Sequence, residues 1–141
     1  MRTLTAALVG LILFASVEAL ADSLVIAVIV NPSRRDKLDR TDVARIYLRT
    51  RRFWSDESPI VPLNLEAESP TRVAFTSRVF SLDPEHLAAH WNAQYFHGIF
   101  PPTVLTTAAA VKRYVATDPR AIGYVDVRDV DDTVRVILKL E

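Results

Sequence analysis

Ser23 to Val30 reads SLVIAVIV, eight residues that are aliphatic throughout after the opening serine. A strand with one wet face would alternate polar and apolar side chains. One covered by helices on both faces would not, so this stretch predicts a central strand of an α/β sheet. Asn31-Pro32-Ser33 ends it, and the charged run Arg34 to Asp39 reads as a surface loop.

Working outward toward the C-terminus, Thr41-Asp42 offers a helix start, and Val43, Ile46 and Tyr47 recur at helical spacing, which predicts a helix over about 42–49. Ile60 to Leu65 (IVPLNL) reads as a second strand, with Pro62 favouring an edge or an irregular position. Ser69 as N-cap and Pro70 at the first helical position announce the next helix, with Val73, Phe75, Val79 and Phe80 as its core contacts. Asp83-Pro84 starts another, whose stripe is Leu87, Trp91 and Tyr95; Gly98 and Pro101-Pro102 stop it. Thr106 or Thr107 caps a further helix that turns Ala110, Val111, Tyr114 and Val115 inward. Ala121–Val127 and Thr133–Leu140 read as the last two strands. The order β, α, β, α, α, α, β, β predicts one three-layer α/β lobe with a mixed, mostly parallel sheet flanked by helices.

Toward the N-terminus, Arg2, the apolar run Leu4 to Ala15 and the small-x-small Ala19-Leu20-Ala21 read as a signal peptide over residues 1–21, cleaved before Asp22. The apolar run is shorter than the roughly 20 residues of a bilayer span. Residues 22–141 are then expected to form a single exported domain. Composition narrows the function. The 17 Lys plus Arg balance 17 Asp plus Glu, and removing Arg2 with Glu18 leaves 16 of each. That balance argues against a nucleic-acid partner. With no cysteine there is no disulfide, and with Gly10, Gly98 and Gly123 as the only glycines there is no glycine-rich phosphate loop and no sign of a cofactor. A Gly-x-Ser-x-Gly elbow is missing, and the Ser, His and Asp residues suggest no triad, so a non-enzymatic protein is expected.

A strand, a helix ending IYLRTRRFW, then SPIVPLNLEAESPTRVAF, then an AIGYV strand resembles the phosphate-binding subfamily of periplasmic solute-binding proteins. Ile46, Tyr47, Leu48, Trp54, Asp56, Pro59, Ser69, Phe75 and Ala121-Ile122-Gly123-Tyr124 carry the likeness, which runs over about residues 24–138. Members have two lobes that close over an anion, and this chain is long enough for one. The resemblance implies the fold of one such lobe and a role as a phosphate or oxyanion binder, or as an accessory of a phosphate ABC uptake or sensing system. It places the ligand loop on Ser69, Thr71 and Arg72, where the family carries a Ser-Gly-Thr kind of sequence. Pro70 replaces the flexible glycine and supplies no N–H, and Glu66 and Glu68 would repel an anion.

The residues support such a site in their own right. A helix start presents free N–H groups and about half a positive charge, Ser69 and Thr71 add hydroxyl donors, and Arg72 adds a charged one. The bland reading is a well-made helix cap. A helix end contributes about 0.3 to 1 kcal/mol and a charged hydrogen bond about 1.5 to 3. Together they only approach the roughly 4 kcal/mol of a millimolar complex. Tight binding therefore needs a second lobe, from a homodimer or another protein.

Arg45, Arg49, Arg51 and Arg52 beside Phe53 and Trp54 form a candidate partner surface for a membrane transporter or sensor protein. Its alternative is a solvated helix end with Trp54 as a plug, and Asp36, Asp39, Asp42, Asp56 and Glu57 lie nearby in sequence to offset the charge. His86 and His90, four apart on a helix, have a spacing that can hold a metal, but HLAAH lacks the catalytic glutamate of a zincin and no metal site is expected. Asp126, Asp129, Asp131 and Asp132 read as turn formers. The rival to anion binding is thus a periplasmic protein-interaction module with a vestigial ligand site.

Overall fold

The computed structural model describes residues 23–141. The expected signal peptide and its cleavage point lie outside the described residues. Five strands and four helices follow in the order β1 (Ile26–Val30), α1 (Arg40–Tyr47), β2 (Val61–Leu65), α2 (Pro70–Val79), α3 (Pro84–Phe96), β3 (Thr103–Leu105), α4 (Ala108–Thr117), β4 (Ala121–Asp126) and β5 (Arg135–Leu140). They form one sheet of order β3-β2-β4-β1-β5.

β1 is buried along its whole length, as its unbroken apolar sequence demands. It runs antiparallel to both neighbours, β4 and β5, whereas β2 is parallel to both β3 and β4. Four strands therefore point one way and β1 points against them, which is the mixed, mostly parallel α/β sheet expected. The β1–β5 register shifts between Val28 and Ile29, where Ile137 is the extra residue on β5.

The chain winds outward from β2 through α2 and α3 to β3, then back past β2 through α4 to β4. Crossovers of one hand in opposite directions place α2 and α4 on opposite faces. β4 reports both. Tyr124 stacks on Phe75 of α2 with ring centroids 3.8 Å apart. Gly123, pointing the other way, has room only for hydrogen: a Cβ there would come within 2.5 Å of Val111 Cγ1 on α4. Asn31, just past β1, ties the C-terminal end of α4 down by donating to Val115 O and Ala116 O.

Several expectations change in detail. α1 begins earlier, because Asp39 rather than Thr41 or Asp42 is its N-cap and exchanges bonds with Asp42 in a full capping box. Arg34 is not on a surface loop: it is buried, with Nε and Nη2 on Pro119 O, Nη1 on Asp36 and Asp56, and its guanidinium 4.5 Å over the Trp54 ring. β2 is an inner strand despite Pro62. The proline is tolerated because β3 pairs only with Leu63 to Leu65, leaving Pro62 beyond that ladder. β3 itself was not foreseen. Val73, Tyr95 and Tyr114 lie at the surface rather than in the core, and no residue of α3 is fully buried.

Candidate functional site

β2, β3 and β4 are parallel, so their carboxyl ends share one end of the sheet, where α2 and α4 start. That end is where open α/β sheets place ligands. Ser69, Thr71 and Arg72 fall on the first turn of α2, directly after β2, and all three are partly buried. Local sequence builds this turn: Ser69 N–H bonds Glu66 O at 3.0 Å to close the preceding bend, Pro70 sets the helical φ, and Val73 N–H bonds Ser69 O at 2.9 Å.

Ser69 is the N-cap by backbone geometry, yet its side chain makes no capping bond. The hydroxyl makes no hydrogen bond among the described residues, so its proton is available to donate. Arg72 is partly buried rather than fully solvated, and its Nη1 donates to Leu65 O at 2.8 Å. One guanidinium edge thus braces the end of β2 while other N–H groups stay unspent. Glu66 and Glu68 are exposed. They stand in solvent beside the turn, where water screens their repulsion of an anion.

Behind the turn lies a network the sequence did not reveal. Tyr124 Oη donates to Asn64 Oδ1 at 2.5 Å and accepts from Leu65 N–H at 3.2 Å. Burial pushes the Tyr124 hydroxyl up to about 12, so it stays protonated and can keep donating. Tyr47 Oη reaches Leu63 O at 2.9 Å, and burial raises its pKa well above the ordinary value. A cavity of about 80 Å³ opens between Asn64, Arg72, Thr76 and Trp91. The one sequence signal for all this was the AIGY word, whose tyrosine is Tyr124.

The arginine surface divides. Trp54 is buried, its Nε1 donating to Arg120 O at 2.9 Å, so its ring takes no part in a partner surface. Arg51 pairs with Asp42 at 3.1 Å, and Arg49 donates to Ile60 O. Arg45 and Arg52 are exposed, and neither makes an ion pair among the described residues. His86 is held by Asp83, His90 Nε2 lies 2.7 Å from Leu48 O, and no cluster suited to a metal ion occurs among the described residues. Asp126 and Asp131 hold Arg128 and Lys112 respectively. No described helix is long and apolar enough to cross a membrane.

No protein-family model matches the sequence, and neither does any curated protein sequence. Solved structures do match the fold. A protein assigned as a phosphate ABC transporter substrate-binding protein from Clostridium perfringens, with bound phosphate, superposes at TM-score 0.64 and 25% identity over 81% of this chain and 45% of its own. An ABC-type phosphate transport receptor from Vibrio cholerae gives 0.61 and 21% over 81% and 46%. PstS from Borrelia burgdorferi gives 0.62 and 13% over 81% and 47%. The chain therefore has the α/β fold of one lobe of phosphate-type solute-binding proteins, and spans about half the length of these neighbours. They are substrate-binding proteins, not enzymes.

Proposed function

We propose that this chain is an exported, periplasmic oxyanion-binding protein that holds phosphate or a similar anion weakly at the first turn of α2, as an accessory of a phosphate ABC uptake or sensing system. The observation that carries it is the Ser69 hydroxyl. It sits at the carboxyl end of a parallel strand, on a helix N-terminus, with no capping bond to occupy it. Thr71 stands beside it, and Arg72 is oriented by its bond to Leu65 O. Likeness to a phosphate-bound structure supports the ligand class.

One turn supplies few donors, and Pro70 removes another, so the affinity expected is about millimolar. Titrating the purified protein with phosphate, sulfate and chloride by NMR tests this: phosphate should shift the amides of Thr71 and Arg72 in a saturable way, and Arg72→Ala should abolish the response. If millimolar phosphate moves nothing there beyond chloride, the anion reading fails.

The second reading is an interaction module with a vestigial ligand site, in which Arg45 and Arg52 help to meet a transporter or sensor. Tyr95, Phe96 and Phe100, exposed at 66%, 86% and 63%, favour it, since a contiguous apolar patch is unusual on an unpartnered surface.

A further inference from the structure

Arg49 occupies a position where glycine is the easier choice. It follows α1 with φ of 62°, the left-handed conformation that closes a helix, and Thr50 N–H bonds back to Arg45 O at 2.9 Å. The strain places an arginine side chain at the mouth of a groove. Nη1 donates to Ile60 O at 3.2 Å, fixing the guanidinium while leaving its remaining N–H groups unspent.

The groove has a volume of about 320 Å³ and lies between this turn and the stretch from Gly98 to Thr103 at the start of β3. Ile60, Pro62, Ile99 and Phe100 give it apolar walls. Arg52 is the second cation on its lining; its side chain is exposed and makes no hydrogen bond or ion pair among the described residues. Among the described residues no carboxylate lines the groove. Burial, and Arg52 nearby, hold the Arg49 pKa below its ordinary value, as expected of a charge that lacks a counterion. The volume falls within the range of small-ligand sites.

We propose that this groove binds a small organic carboxylate with an apolar body, the carboxylate meeting Arg49 and Arg52 while the body lies against Ile99 and Phe100. Its cations differ from those of the first turn of α2, although Pro101 and Pro102 line both this groove and the cavity beside Arg72. The groove touches the start of β2 at Val61 and Pro62, whereas α2 follows its far end at Leu65. Along the strand, Val61 and Leu65 lie about 13 Å apart.

Three probes test it by NMR on the purified protein: hexanoate, hexanol as the body without the charge, and inorganic phosphate as a charge without the body. Hexanoate should produce saturable shifts at Arg49, Arg52, Ile99 and Phe100 below about 20 mM, with hexanol and phosphate much weaker there. Arg52→Ala should weaken hexanoate by about tenfold. Arg49→Gly should do the same while keeping or raising the melting temperature, because it relieves the left-handed backbone and cannot be dismissed as unfolding. The site is overturned if hexanoate shifts nothing in the groove, if hexanol or phosphate matches it, or if both variants bind hexanoate unchanged. None of these outcomes depends on whether phosphate reaches Ser69.

Discussion

Gly123 shows how one atom settles the distance between layers. α4 lies so close to β4 that an added methyl would stand 2.5 Å from Val111 Cγ1 and 3.4 Å from Val115 Cγ2. Both valines are fully buried and stiff about χ1, so the helix itself must move. Gly123→Ala should destabilise by about 1 to 3 kcal/mol, read from the shift in urea midpoint. A neutral result would show that α4 can slide. On the opposite face, Tyr47 and Tyr124 have hydroxyls held protonated by burial, Tyr124 up to about 12. A raised folded pKa means stability that is full below the ordinary tyrosine value near 10 and declines as pH climbs through the folded value. Absorbance titration should therefore show Tyr47 and Tyr124 ionising only well above the ordinary tyrosine value or on alkaline unfolding. Ionisation of Tyr47 or Tyr124 near the ordinary tyrosine value in the native protein would contradict that packing.

At the scale of elements, the two helix starts look alike in sequence and differ in physics. Asp39 and Asp42 exchange bonds at 2.8 and 3.1 Å across the first turn of α1, while Ser69 makes no such bond on α2. Asp39→Ala should cost about 1 kcal/mol. Ser69→Ala, which by residue type alone should cost as much, should stay within about 0.5 kcal/mol; thermal melts of the two variants side by side decide it. The same contrast explains what could be read beforehand. β1 was legible because full burial leaves an unbroken aliphatic run, and β4 because AIGYV is apolar on both faces. β3 was not, since three residues behind Pro101-Pro102, two of them exposed, carry no period. Arg34 was misplaced because a buried arginine depends on partners far along the chain, Pro119 and Asp56, that local charge patterning cannot disclose. At the site, residue types and the helix start were readable. The free Ser69 hydroxyl and the brace from Arg72 to Leu65 were not, because both are matters of rotamer rather than sequence.

For the molecule as a whole, the decisive quantity is how much of an anion one lobe can enclose. The fold neighbours are about twice as long as this chain, and at the α2 turn the described residues offer two hydroxyls and one partly committed guanidinium. A lone lobe leaves the anion's outer face in water, so desolvation and chelation, which make such contacts strong, are forgone. With a dissociation constant of about 1 mM, phosphate at about 10 mM should stabilise the fold by about 1.4 kcal/mol, or about 5 °C in melting temperature. Chloride at matched ionic strength should not. Protein concentration then separates the two ways of using the lobe. If the chain acts singly, the phosphate-induced shift is the same at low and high concentration, because binding and unfolding are both unimolecular in protein. If two copies close on one anion as a homodimer, folded pairs are favoured by mass action, and both the melting temperature and its phosphate increment rise with concentration. A phosphate shift absent at every concentration removes the anion role and leaves the interaction surface as the reading to pursue.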